Sequence, residues 1–159
     1  MKKGRDINIF LDANVFLDYL IYRGKHASNL QIVFKKAKSK FVNLYVSSLS
    51  FAIVYHHMRQ KRDMPHRIAI NLLTNTYPKV KCITVDSPII WQAMISGFDD
   101  YEDAVQYGCV LKIPKCKAIV TEDKKGFLLS KIPVIDTQTF WNQYFKPKNE
   151  RHGYKRSNF

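Results

Sequence analysis

Three short stretches of this chain hold the side chains that could do chemistry. Asp12 and Asn14 close an apolar run, Ile7-Asn8-Ile9-Phe10-Leu11. Asp99, Asp100, Glu102 and Asp103 crowd together, and Glu122 and Asp123 follow Thr121. A site built from these residues would offer oxygen donors without Cys or His, which suits a hard cation, Mg2+ or Mn2+. Such an ion lowers the pKa of a bound water and stabilises in-line attack at phosphate. Each acid also has a purely structural use. Asp12 can cap a helix that carries Asn14 in its first turn. Asp100-x-x-Asp103 has the spacing of a capping box, and acids in a first turn meet the helix dipole favourably. On helical spacing, positions 99, 100 and 103 share a face, and Glu102 lies about 100° round from Asp103. Asp100 therefore reads as a cap and Asp103 as a site residue, with Glu102 between the two roles.

The elements that must position these acids alternate along the chain. Ile7–Leu11 reads as a strand buried on both faces, as in a parallel sheet, where ligands bind outside the carboxyl ends of the strands. Asp12 stands at such an end. Helices are expected over 14–22, closed by Gly24, and over 26–39, where Leu30, Val33, Phe34 and Ala37 form an apolar stripe. A second strand spans 44–46, and Ser48 or Ser50 caps a helix through Phe51, Val54 and Met58. A helix from Pro65 to Thr76 and a strand over 80–85 follow. Asp86 or Ser87 caps the next helix, which Gly97 ends. The helix opened by the acids keeps Ala104, Val105, Gly108, Cys109 and Leu111 toward the core. A fourth strand, 117–121, ends at Glu122-Asp123. Ile132–Ile135 is an edge strand because Pro133 lacks a ladder donor, and a last helix over 138–145 follows Asp136-Thr137. This order gives an α/β fold, a three-layer α/β/α arrangement with a central, mostly parallel sheet of four to five strands. One domain over 1–145 is expected, then a basic, flexible tail over 146–159.

Charge adds a partner class. Lys and Arg number 26 against 13 acids, a formal charge of +13. Between Tyr19 and Val85 the only acid is Asp63, against twelve Lys and Arg. A basic chain that gathers its acids in a few places points to a polyanion and a metal focus. No apolar run is long enough to span a membrane, and the run before Asp12 is too short for a signal peptide. Cys82, Cys109 and Cys116 lack CxxC spacing and read as reduced thiols of a cytoplasmic protein.

With these residues in place, the chain resembles the PIN-domain proteins, particularly the toxin ribonucleases of the VapC type. Ile9-Phe10-Leu11-Asp12-Ala13-Asn14-Val15 is similar to the family's opening strand with its first metal-binding Asp. Tyr45-Val46-Ser47-Ser48-Leu49-Ser50 resembles the strand and turn before its third helix. Asp100-Tyr101-Glu102-Asp103-Ala104-Val105-Gln106 resembles the acidic helix start that supplies a central ligand. Ile119-Val120-Thr121-Glu122-Asp123 with Phe127 resembles the closing strand and loop. The resemblance implies Asp12, Asp103 and Asp123 as catalytic and metal-site residues, with Asn14 and Thr121 in support. It also implies Mg2+- or Mn2+-dependent RNA cleavage, a homodimer and an antitoxin partner.

The chain departs from the family pattern twice. The Glu of the helix after the Ser-rich turn is missing, since residues 51–58 read Phe-Ala-Ile-Val-Tyr-His-His-Met. Gly126 also stands where an Asp before Phe127 is common. Glu102 or Asp100 could complete the site. The alternative is a PIN-like module that binds RNA or a protein partner without cleaving. A haloacid-dehalogenase phosphatase, superficially similar at Asp12-x-Asn14, needs an acid where Asn14 stands, and Asn cannot transfer a proton. His56 and His57 are adjacent and cannot both face a site from one helix. Trp91 and Trp141 are expected as core anchors, while Tyr19, Tyr22, Tyr45 and Tyr55 include candidate RNA-stacking rings.

Overall fold

The computed structural model describes residues 6–148. Five strands, β1 (Ile7–Leu11), β2 (Val42–Ser47), β3 (Lys81–Ile83), β4 (Cys116–Val120) and β5 (Val134–Ile135), form one sheet in the order β3-β2-β1-β4-β5. Every pairing is parallel, with Phe10 opposite both Tyr45 and Ile119. The helices are α1 (Ala13–Leu20), α2 (Ala27–Lys36), α3 (Ser48–Lys61), α4 (His66–Thr76), α5 (Ser87–Ile95), α6 (Tyr101–Val110) and α7 (Thr137–Tyr144).

Strand alternation sorts the core into two layers. Ile9, Leu11, Leu44, Val46, Ala118 and Val120 point to one face and pack with Val15, Phe16, Leu30, Val54, Met58 and Phe140 from α1, α2, α3 and α7. Phe10, Tyr45 and Ile119 point to the other, against Ile89, Ala93, Val105 and Cys109 of α5 and α6. Successive side chains of a strand face opposite sides, so three central strands buried on both faces must read as the near-continuous apolar runs seen in the sequence. This is the expected α/β/α sandwich. Gly108 lets α6 approach α5 closely: a Cβ there would come 2.8 Å from Cγ2 of Ile89.

Several expected details shift. Ser47, not Ser48 or Ser50, caps α3, because its buried hydroxyl at the end of β2 accepts from the Ser50 N–H at 3.0 Å. β2 begins earlier and β3 is shorter than expected. Of the 132–135 strand only Val134–Ile135 pairs with β4, at the sheet edge, while the Pro133 carbonyl still accepts from Ile119 N–H. Leu111 lies past the end of α6 and is exposed rather than core-facing. Trp91 is 58% exposed on α5, whereas Trp141 packs against the core. Cys82, Cys109 and Cys116 are free thiols. The tail expected over 146–159 lies outside the described residues from 149 onward.

Candidate active site

From β1 the chain builds outward through β2 to β3, then crosses the other face of the sheet to add β4 on the opposite side of β1. That reversal makes the β1/β4 seam a topological switch point, and the crevice opens at the carboxyl ends of these two strands. Asp12 follows β1 directly, and Thr121 and Asp123 follow β4.

Asp12 is 4% exposed. It caps α1, its Oδ1 accepting from Ala13 N–H at 2.6 Å. Its Oδ2 accepts from Thr121 Oγ1 at 2.7 Å and Asn14 Nδ2 at 2.9 Å. One oxygen of Asp12 thus caps the helix while the other sits among side-chain donors at the mouth of the crevice. Burial raises its pKa, with the Thr121, Gln106 and Ala13 donors opposing and the Asp123 charge adding to the rise. Thr121, fully buried, also accepts from the Asp123 N–H at 3.0 Å. Asn14 reaches across to Thr121 Oγ1 at 3.3 Å, and its Oδ1 accepts from Glu122 N–H at 3.4 Å.

At the acidic helix start the expected cap is observed. Asp100 caps α6 by accepting from Asp103 N–H at 3.0 Å. Asp103, half-buried one turn in, has no hydrogen-bond donor or cation on its carboxylate among the described residues. Burial first, then the charges of Asp12, Asp100, Asp123 and Glu102, raise its pKa to about 7. Glu102 is raised too, by partial burial and by Asp100 and Asp12. Asp12, Asn14, Glu102, Asp103 and Asp123 all line one crevice of about 270 Å3. Asp100 and Thr121 do not line it. Asp99 is an exposed acid outside it, and Glu122 is occupied at the start of α7, accepting from Thr137 N–H at 3.0 Å.

Sequence reasoning missed other parts of the wall. Gln106 is buried one turn beyond Asp103, and its Oε1 accepts from Ala13 N–H at 3.2 Å and Ser50 Oγ at 3.3 Å. It ties α6 to α1 and α3, and a lone polar residue on the apolar face of α6 was its only signal. Arg23, ion-paired with Asp18, also lines the crevice. Ile53 and His57 of α3, one turn apart, face it from the helix that lacks the family's Glu. His57 has a lowered pKa, from burial first and then from the charges of Arg23, Arg62 and Lys61. Gly126 meets the acids directly: a Cβ there would come 2.0 Å from Oδ2 of Asp103. The missing side chain is what makes room for the Asp103 carboxylate.

The donor set fits a hard divalent cation: carboxylates with an amide and a hydroxyl behind them, and one of the acids raised toward neutrality by like charges that nothing offsets. The fit is one of chemistry rather than of finished geometry. Among the described residues no three of His, Cys, Asp or Glu are arranged to hold a metal ion.

A family model described as the PIN domain matches residues 8–125. Comparison with curated protein sequences gives no match. Two solved structures share the fold. VapBC2 from Rickettsia felis, bound to a DNA fragment from its promoter, is 11% identical with a TM-score of 0.57, over 82% of this chain and 98% of that one. Mycobacterium tuberculosis VapC20, a sarcin-ricin loop cleaving toxin, is 15% identical with a TM-score of 0.59, over 77% and 95%. No helix among the described residues is long and apolar enough to cross a membrane.

Proposed function

The chain belongs to the PIN-domain family, and from that premise we propose that it is a metal-dependent endoribonuclease that hydrolyses RNA phosphodiester bonds at the acidic crevice. The observation that carries this reading is the Asp103 carboxylate, half-buried beside Asp12 with no cationic or hydrogen-bonding partner of its own among the described residues. A carboxylate so placed is costly unless a cation shares the site. Asp12, Asp103 and Asp123 would hold Mg2+ or Mn2+, which when bound supplies an activated water and charge neutralisation at phosphate.

The chain's own residues have distinct parts. Thr121 and Asn14 hold Asp12 in one orientation, and Thr121 also fixes the Asp123 backbone. Gln106 keeps α6 in register with α1, so that Asp103 stays over the crevice. Glu102 adds negative charge at the rim in place of the absent α3 Glu. Arg23 keeps a positive group at the wall, able to meet an entering phosphate. Asp103, its carboxyl pKa raised by burial and by the neighbouring acids, would release its proton on holding the cation.

A second reading, a PIN-like module that binds RNA or protein without cleaving it, is favoured by Ile53 and His57, which occupy the α3 wall without a carboxylate. Cleavage of a mixed RNA pool with Mn2+ or Mg2+, wild type beside Asp12→Asn, separates the two. The same family reading supports an antitoxin protein as partner, a homodimer, a cytoplasmic setting and one domain over 1–145 with a basic tail. An antitoxin partner is also in keeping with the VapBC2 structure among those of similar fold.

A further inference from the structure

A second cavity, of about 940 Å3, opens at the end of the sheet opposite the acids. It is lined where β2 and β3 begin, by Val42, Asn43 and Lys81, together with parts of α1, α2 and the turn before β3. Lys35, Lys38, Lys79 and Lys81 stand round it, and Asp6 is the one acid in its lining. None of the four lysines has a carboxylate partner among the described residues. Two are set against aromatic rings instead. Lys79 Nζ lies 3.1 Å from Tyr19 Oη, to which it donates, and Lys81 Nζ lies 5.5 Å from the Tyr45 ring centre.

The same cavity contains a strained residue. Phe41 has φ 56° and ψ 33°, in the left-handed region, yet the residue is 56% exposed. A bulky residue there is an outlier, and Gly or Asn would adopt this conformation with less strain. Core packing does not explain keeping Phe, because more than half of the residue is exposed. Backbone strain together with an exposed aromatic ring and four unneutralised lysines matches the elements of a single-stranded nucleic-acid site: a stacking surface inside an electropositive groove.

We propose that this cleft binds single-stranded RNA, with one base stacked on Phe41 and phosphates met by Lys35, Lys38, Lys79 and Lys81. The proposal rests on the reading of the chain as an RNA-cleaving protein and adds a hold on the substrate away from the reacting bond. The acidic crevice lies beyond the far ends of β1 and β4, and a strand of five residues spans roughly 17 Å. A substrate must be long enough to cover both ends of the sheet to use both sites, so long single strands bind better than dinucleotides.

The test is fluorescence anisotropy with a labelled oligouridylate of about a dozen nucleotides, in EDTA so that no cleavage occurs. Phe41→Asn, which relaxes the left-handed backbone, is expected to weaken binding about tenfold, the loss of one stacked base. Phe41→Trp, which keeps a stacking ring, retains wild-type affinity. Charge reversal of the four cleft lysines lowers the slope of log affinity against log salt by about 3, at about 0.7 per single-strand phosphate contact. Reversal of Lys112, Lys115, Lys117 and Lys131, exposed elsewhere, lowers it by less. If Phe41→Asn loses its fold by circular dichroism, the tryptophan and lysine variants decide. Unchanged binding by Phe41→Asn, equal effects from the two lysine sets, or no RNA binding by the wild type overturns the proposal. Metal-dependent cleavage of a dinucleotide, assayed on the same variants, reports on the nuclease reading independently and is expected to be unchanged.

Discussion

The Thr121 hydroxyl donates to Oδ2 of Asp12 at 2.7 Å across the β1/β4 seam and accepts from the Asp123 N–H at 3.0 Å, so one buried oxygen couples two acids carried by different strands. Thr121→Val keeps the shape and removes both bonds. It leaves the Asp123 N–H without this acceptor and Asp12 without its strongest neutral donor. Stability should fall by about 1–3 kcal/mol, the range for leaving a buried polar group unpaired, and the Asp12 carboxyl should titrate higher still. Thr121→Ser should recover most of both. Chemical unfolding and carboxyl NMR titration measure the two effects.

Asp103 gives the site a pH dependence in metal-free buffer. Its folded pKa, about 7, lies above the ordinary aspartate value of 3.8, so between these values the folded state holds a proton that the unfolded state has released. Stability therefore falls as pH rises from about 4 to about 7 and stays lowered above that. Asp103 is only partly buried, and solvent screening reduces the effect to about 1 kcal/mol. Asp103→Asn should flatten this slope and be the more stable protein at neutral pH without metal. Added Mn2+ should reverse that ranking in thermal melts at neutral pH, because the ion stabilises only the protein that binds it.

Ile53 is the α3 side chain to convert if the absent acid matters. Ile53→Glu brings another carboxylate to the crevice. Without metal it should lower the melting temperature through like-charge repulsion, and with Mn2+ it should bind the ion several-fold more tightly. Calorimetric titration of wild type and Ile53→Glu with Mn2+ measures this directly. Equal affinities would show that α3 does not reach the ion.

The parallel α/β/α architecture and the positions of Asp12, Asp100 and Asp123 at element ends were legible because they rest on local patterns: apolar runs ending in an acid, and an Asp three residues before the N–H it caps. The strand order was not, because it depends on pairing between distant segments, and neither were contacts between elements. Gln106 looks like any polar residue on a helix until its bonds to Ala13 and Ser50 are seen. Gly126 reads as a departure until a Cβ is built against Asp103. Ser47 ends a strand, and in sequence nothing separates it as a cap from Ser48 or Ser50 until its bond to the Ser50 N–H is seen. A large aromatic side chain suggests a core position for Trp91, which is exposed, and the left-handed backbone of Phe41 has no sequence signature, since Phe is a poor choice for it.

The acids at the α6 start should separate by substitution. Asp100→Asn should change stability by less than about 0.5 kcal/mol, because Asn caps a helix about as well as Asp, and should leave Mn2+ affinity nearly intact. Glu102→Gln should leave metal-free stability nearly unchanged while weakening Mn2+ binding and slowing cleavage. Equal cleavage by Glu102→Gln and wild type would reduce Glu102 to a helix-dipole residue.

The central claim, that the crevice round Asp12 cuts RNA with a bound divalent ion, is met most directly by one comparison. Wild type and Asp12→Asn, matched for fold by circular dichroism, are incubated with a mixed RNA pool in Mn2+, in Mg2+ and in EDTA. Cleavage by the wild type in metal alone, reduced at least about a hundredfold in Asp12→Asn, is the expected result. RNA left intact by the wild type in both metals, or cut equally by Asp12→Asn, would contradict it.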